Sequence, residues 1–273
     1  MSIDPAALTA RLFDVRERRA VVTGAASGLG LAIAEVLADC GARVTLADID
    51  AERLEEVSGA LTARGCEVRT AVVDVTDDAS VRAAFDGVVA AYGGVDIVFA
   101  NAGIAAVPGY ANAGGQELHT VTDDVWRRVV GVNLDGVLHT LRAASGVMKP
   151  QGSGRIVVTA STAGLRADPM VCYGYAASKA AVVGIARQAA FELAPHGVHV
   201  NVIAPGPIKT RIAGGVTPEV ERKWSALVPL GRMGEPEELK GLALLLASPA
   251  ASFITGAVIT IDGGQLLGEP GDW

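Results

Sequence analysis

Residues 20–30 read Ala20-Val21-Val22-Thr23-Gly24-Ala25-Ala26-Ser27-Gly28-Leu29-Gly30, and an apolar run continues from there to about Cys40. The order is a short strand, a turn carrying three glycines and the start of a helix. A strand with no polar residue at alternate positions suits a parallel sheet covered on both faces. Glycines in the turn let backbone and ligand approach more closely than a Cβ would allow. The first turn of the following helix offers unpaired N–H groups and the positive end of its dipole, a seat for a pyrophosphate. Gly24, Ser27, Gly28, Leu29 and Gly30 are therefore candidates for holding a dinucleotide. The next strand, Arg43–Ala47, ends at Asp48, 18 positions beyond Gly30, about where an acidic group meets the ribose hydroxyls. A carboxylate there repels a 2′-phosphate, and neither Ala26 nor Ile49 supplies an offsetting cation. The reading is NAD rather than NADP, with Asp48 and Ile49 at the adenosine end; Asp48 as a plain helix cap is the alternative.

Strand and helix patterns alternate along the rest of the chain. A helix over 51–64 precedes strand Val68–Val73, which ends in Asp74-Val75. A helix from Asp78 to Tyr92 then leads to strand Val95–Ala100 and Asn101-Ala102-Gly103. One long helical pattern spans Thr122 to about Met148, and strand Arg155–Thr159 runs into Ala160-Ser161-Thr162-Ala163-Gly164. A helix over Ala176–Ala194, strand Val198–Ile203, helix Pro236–Leu246 and strand Val258–Ile261 complete the series. Such alternation predicts an α/β fold, a single doubly wound Rossmann-type domain with a parallel sheet and helices on both faces. Its bounds are 19–273, after a lead-in over 1–18. A 273-residue chain that is 50% hydrophobic but only 4% aromatic, with no linker-like stretch, fits one such domain.

A net charge of −7 argues against nucleic acid or an anionic membrane as the main partner. No apolar run reaches the ~18 residues of a membrane span, and Asp4, Pro5 and Asp14 interrupt any signal-peptide core. Cys40, Cys66 and Cys172 form no CxxC and read as reduced packing thiols, so a cytoplasmic location is expected. The four histidines form no HExxH, and no metal is expected. No G-x-S-x-G elbow points to a hydrolase.

Tyr175 and Lys179 carry the chemistry. Four apart on one helix, they share a face, and a nearby ammonium favours the phenolate over the phenol. This predicts a Tyr175 pKa drawn down from its usual ~10. Strand ends at the carboxyl edge of a parallel sheet line its ligand crevice, which brings in four further groups. Asp74 is placed to bond an adenine or simply to form a turn, with Val75 beside it. Asn101, with Ala102 and Gly103, either braces the backbone beside the cofactor or forms a turn. Ser161 sets a hydroxyl at the same edge, with Thr162 competing. The turn Pro205-Gly206-Pro207-Ile208-Lys209-Thr210 can press on a flat ring. Asn133, a polar residue amid Val129, Val130, Val132, Leu134 and Val137, needs partners. It either bends the helix or holds a water chain. A longer loop at 104–121 is a candidate substrate wall, and residues 208–234 read as an irregular lid anchored by Trp224, Leu227 and Met233.

In order and spacing, these residues resemble the short-chain dehydrogenase/reductase family over roughly residues 19–264. The pieces are Thr23-Gly-Ala-Ala-Ser-Gly-Leu-Gly30, Asp74-Val75, Asn101-Ala-Gly103, Asn133, Ser161, Tyr175-x-x-x-Lys179 and Pro205-Gly206. The resemblance implies seven strands, a catalytic group of Asn133, Ser161, Tyr175 and Lys179, and cofactor contacts that include Ile208 and Thr210. It also implies a homotetramer, or a homodimer, built partly on the helices carrying Asn133 and Tyr175. Ser161 and Tyr175 would meet a small-molecule alcohol or ketone. One residue more than is usual separates Ser161 from Tyr175, and the loop at 104–121 is longer than usual. The expected activity is hydride transfer between NAD and a neutral, hydrophobic or alicyclic secondary alcohol. An NADP-dependent ketone or 3-oxoacyl reductase, and a non-catalytic NAD-sensing regulatory protein, are the rivals.

Overall fold

The computed structural model describes residues 4–105, 117–212 and 215–268. Strands β1 (Arg19–Thr23), β2 (Arg43–Asp48), β3 (Val68–Val72), β4 (Ile97–Ala100), β5 (Gly154–Thr159), β6 (Val198–Pro205) and β7 (Val258–Ile261) form one sheet. Their order is β3-β2-β1-β4-β5-β6-β7, and every pair is parallel. The chain moves outward from β1 in one direction, returns, and continues from β4 in the other. The switch point therefore falls between β1 and β4, where the carboxyl ends of the strands open a crevice.

The helices are α1 (Pro5–Leu12), α2 (Gly28–Asp39), α3 (Ala51–Ala63), α4 (Asp78–Tyr92), α5 (Asp123–Val130), α6 (Gly136–Gln151), α7 (Tyr173–Leu193), α8 (Pro218–Ser225) and α9 (Lys240–Ala247). Both sheet faces are covered, which is why the central strands carry apolar residues at successive positions. On one face Phe85, Leu141, Met148, Val182 and Leu193 from α4, α6 and α7 pack on the sheet. Ile33, Leu37, Leu54, Leu61 and Leu246 from α2, α3 and α9 do so on the other. At the opposite edge from the crevice, Arg19 grips Asp96 through two contacts of 2.7 Å, tying the start of β1 to β4.

Four elements differ from the sequence reading. The single helix expected over 122–148 is α5, a π-helical turn over Gly131–Asp135 and α6, running on to Gln151. The helix expected from Ala176 begins at Tyr173, capped by Cys172, so Tyr175 stands in its first turn. The helix expected over 236–246 opens with a 3₁₀ turn, Pro236–Leu239, before α9. Residues 208–234 are not irregular throughout. They contain α8, with Thr217 capping Val220 N–H, Pro218 in the first turn and acid-to-base order along the helix. The two ends of this segment are pinned together by Lys209 N–H to Gly234 O (2.9 Å) and Gly234 N–H to Pro207 O (2.9 Å). Met233 is buried, whereas Trp224 and Leu227 are half-buried. Of the loop expected at 104–121, residues 106–116 lie outside the described part, with Tyr110 and Asn112 among them. Among the described residues no helix is long and apolar enough to cross a membrane.

Candidate active site

A cavity of about 670 Å³ occupies the crevice. Of the expected site residues, all but Gly30 and Asn133 line it: Gly24, Ser27, Gly28, Leu29, Asp48, Ile49, Asp74, Val75, Asn101, Ala102, Gly103, Ser161, Tyr175, Lys179, Pro205, Gly206, Ile208 and Thr210. Gly30 stands behind the glycine turn, where a Cβ would overlap the carbonyl oxygen of Gly24 and crowd Asn101 Nδ2. Ile104, Arg211 and Ile212, from the loop and lid expected to wall the site, also line the cavity, and sequence reasoning missed Thr76, Arg128, Val132 and Thr159, which line it too. Apart from the position of Thr159 at the end of β5, no local pattern marks Thr76, Arg128 or Val132.

At one end of the cavity, α2 starts without a side-chain cap: Ser27 makes no such bond, whereas Asp50, Asp77 and Thr217 cap α3, α4 and α8. No acidic residue stands in the first turn of α2. Its N–H groups and dipole are thus left to the cavity, which suits an anion. Asp48 is braced rather than free, with Oδ2 accepting from Ala26 N–H (3.0 Å) and Oδ1 from Asp50 N–H (3.1 Å). The cap of α3 is Asp50. Asp74 forms a turn, its Oδ1 accepting from Thr76 N–H (2.9 Å) and Oγ1 (2.7 Å). Asn101 braces the backbone between strands: Nδ2 donates to Thr23 O (3.1 Å), and Oδ1 accepts from Thr159 Oγ1 (3.1 Å). Thr23 Oγ1 in turn takes the N–H groups of Asn101 (3.0 Å) and Ala102 (3.1 Å). An uncapped helix start, a glycine cradle and a fixed carboxylate along one cavity fit a dinucleotide.

At the other end stand Tyr175, Lys179 and Ser161. Lys179 is 3% exposed; its Nζ donates to Thr159 O (2.8 Å) and lies 5.7 Å from the centre of the Tyr175 ring. Burial pulls its pKa down to about 8. Gly103 leaves room for this group, since a Cβ there would meet Asn133 Oδ1 at 3.2 Å and Lys179 Nζ at 3.5 Å. The Tyr175 pKa moves opposite to the sequence expectation. Burial, the largest influence, raises it; the Ser161 hydroxyl lowers it, and the charges of Asp168 and Cys172 add to the rise. Spacing along the helix showed the cation near the phenol, but not how far protein atoms exclude water from it.

Ser161 Oγ accepts from Ala163 N–H (3.2 Å) and faces the cavity, whereas Thr162 is buried behind the wall. Gly164 lets this turn lie on α7, because a Cβ there would overlap the backbone of Lys179. Asn133 sits in the π turn, fully buried. Its Oδ1 accepts from Ile104 N–H (2.8 Å) and its Nδ2 donates to Ile104 O (2.8 Å) and Ser178 Oγ (3.3 Å). Cys172, read only as packing, caps α7 by accepting from Tyr175 N–H (3.3 Å) and donates to Ala105 O (3.1 Å).

Against known proteins, a family model described as enoyl-(acyl carrier protein) reductase matches residues 24–265. The solved short-chain type dehydrogenase/reductase of Mycobacterium marinum is 38% identical, with a TM-score of 0.85, over 93% of this chain and 97% of that one. The chain belongs to the short-chain dehydrogenase/reductase family. It is thereby an oxidoreductase acting on alcohol or ketone groups with a nicotinamide cofactor. Another short-chain relative, the cis-4-hydroxycyclohexanecarboxylate dehydrogenase of Sinomonas cyclohexanicum, is 40% identical over 248 residues, 91% of this chain and 96% of that protein. A solved 3-oxoacyl-[acyl-carrier protein] reductase of Brucella melitensis with bound NAD is 35% identical with a TM-score of 0.84, covering 97% of this chain and 96% of that one.

Proposed function

We propose that the chain is an NAD-dependent dehydrogenase oxidising a neutral, hydrophobic or alicyclic secondary alcohol, or reducing the matching ketone. The observation that carries this reading is the convergence of Tyr175, Ser161 and Lys179 on one wall of a cavity whose other end holds Asp48 and the uncapped start of α2. The nicotinamide, when bound, accepts or gives the hydride. Ser161 holds the substrate oxygen by a hydrogen bond and stabilises charge developing there. Tyr175 takes the hydroxyl proton in oxidation and returns it in reduction. Burial favours the protonated phenol, the form that reduction uses. Oxidation uses the phenolate, which the Ser161 hydroxyl and the Lys179 ammonium stabilise against burial. Lys179, fixed by Thr159 O, also reaches toward the nicotinamide ribose, and Asn133 fixes the loop entry beside it. Pro205, Gly206, Ile208 and Thr210 hold the flat ring.

Asp48 supports NAD over NADP, and the Brucella relative's bound NAD is consistent with that. The alicyclic preference draws on the named relative from Sinomonas and on the apolar lining contributed by Ile104, Val132, Ile208 and Ile212. A 3-oxoacyl reductase is the second reading, favoured by the name of the Brucella relative. We take the working form to be a cytoplasmic homotetramer, or a homodimer, since Trp126, Leu138 and Tyr173 are exposed on the helices that carry Asn133 and Tyr175. The test is NADH absorbance on incubation with NAD and a panel of cyclic alcohols, diols and steroids, for the natural chain and for Tyr175→Phe. Turnover that falls by about 10²-fold or more with NAD binding intact is the expected result. Retained turnover rejects the role of Tyr175, and NAD binding with no turnover on any alcohol favours the non-catalytic NAD sensor.

A further inference from the structure

Behind the cavity wall, the hydroxyl of Thr162 and the amide of Gln265 make a buried contact that the chemistry above does not use. Thr162 follows Ser161 and is 2% exposed; Gln265, in the 3₁₀ turn Gln265–Leu267, is 0% exposed. Thr162 Oγ1 lies 2.8 Å from Gln265 Oε1 and 3.3 Å from the Pro205 carbonyl oxygen. A hydroxyl has one hydrogen to give, and the shorter, better contact is with Gln265. Gly206 closes the other side, where a Cβ would stand 2.8 Å from Asp262 Cα and 3.2 Å from Gln265 Oε1. Asp262 folds the turn that sets Gln265, its carboxylate accepting from Gly264 N–H (3.0 Å) and Leu266 N–H (2.9 Å).

Gln265 Nε2 has no hydrogen-bond partner among the described residues. A buried, unpaired amide donor is unfavourable, so an apolar side chain of equal length would pack here at least as well. What the amide adds is its hold on Thr162.

We propose that Gln265 is a positioning residue: through Thr162 it sets the spacing between Ser161, at the end of β5, and the Pro205–Gly206 turn, at the end of β6. It touches neither substrate nor cofactor. The proposal rests on the reading of Ser161 as the substrate-oxygen contact and of Pro205–Gly206 as a face for the nicotinamide. Transfer between two bound groups is sensitive to misplacement, an ångström costing on the order of 10²-fold in rate. A loosened spacing therefore lowers kcat while leaving the anion seat and the fold intact.

The experiment compares Gln265→Met, Thr162→Val, Thr162→Ser and the double variant Thr162→Val/Gln265→Met. Four quantities are read: thermal midpoint, NADH affinity, fluorescence of bound NADH, and kcat and KM for an alcohol that the natural chain oxidises. Gln265→Met is expected to keep its thermal midpoint and NADH affinity, to alter the bound NADH fluorescence and to lose about tenfold in kcat with little change in KM. Thr162→Val should match it, Thr162→Ser should recover most of that loss, and the double variant should be no worse than either single one. A Gln265→Met protein with natural kcat overturns the proposal. So does one whose activity and thermal midpoint fall together, since that marks a packing role. Should the natural chain bind NADH but oxidise no alcohol, the dehydrogenase reading fails by itself; unchanged fluorescence of bound NADH in Gln265→Met would then overturn the positioning role separately.

Discussion

In the proposed NAD reading, Asp48 concentrates the cofactor choice in one side chain. Two backbone N–H groups, of Ala26 and Asp50, hold its carboxylate against the glycine turn, so it cannot swing away from an added phosphate. Like charges a few ångströms apart repel by about 1 kcal/mol in water and about 4 kcal/mol near a protein surface, and about 1.4 kcal/mol is a tenfold preference. Asp48→Asn, which removes the charge and keeps a carbonyl acceptor, should move the NAD-to-NADP ratio of kcat/KM toward NADP by about tenfold or more. An unmoved ratio would place the discrimination elsewhere. At this scale the sequence was a good guide to which residues meet, but a poor one to their charge state. Tyr175 has its cation four positions on, yet burial is the stronger influence on its pKa.

The element that most shapes the site is the composite helix α5–π turn–α6. Its extra π residue falls at Gly131–Asp135, the segment that contains Asn133. Gly136 lets the helix press on Val75, because a Cβ there would meet Val75 Cγ2 at 2.7 Å. Asn133 then reaches Ile104 with both ends of its amide, substituting for a strand partner beyond the end of β4. Asn133→Leu should leave both backbone groups of Ile104 unpaired, lowering stability by about 2 kcal/mol in urea denaturation and reducing turnover as well. Stability equal to that of the natural chain would mean that Ile104 finds other partners. From sequence, an amide among valines signalled a need for partners. The π turn itself had no such signature, because its register is set by packing of α6 on Val75 and of Val129 against Gly174.

Taken whole, the fold encloses a charge that free chains would leave in water. Lys179 gives up its proton at about 8 in the folded chain, against an ordinary lysine value of 10.5. Between those values the unfolded chain binds more protons, so this group makes stability rise with pH across the window. Cys172 and Tyr175, whose folded values lie above 9.0 and 10.0, act in the opposite sense, and only from about pH 9 upward. Compared with Lys179→Met, the natural chain should therefore gain about 1 kcal/mol in folding stability from pH 7 to pH 9. Parallel curves for the two proteins, measured by urea unfolding at each pH, would show that the folded Lys179 titrates normally.

The sequence by itself determined the strands of the sheet and most of the residues that line the cavity. Buried parallel strands must be apolar at successive positions, and strand ends beside glycine turns must open on the crevice. These are local rules, legible at Val21-Val22-Thr23-Gly24 or at Val157-Val158-Thr159. Only the tertiary structure decided which way Ser161 and Thr162 point, that Cys172 caps α7, and that Gln265 closes on a hydroxyl 103 positions away. It also made the cost of removing water, rather than the nearest charge, the main influence on Tyr175. Contacts between residues far apart in the chain, and the exclusion of solvent, are properties of the packed molecule, and no short stretch of sequence contains them.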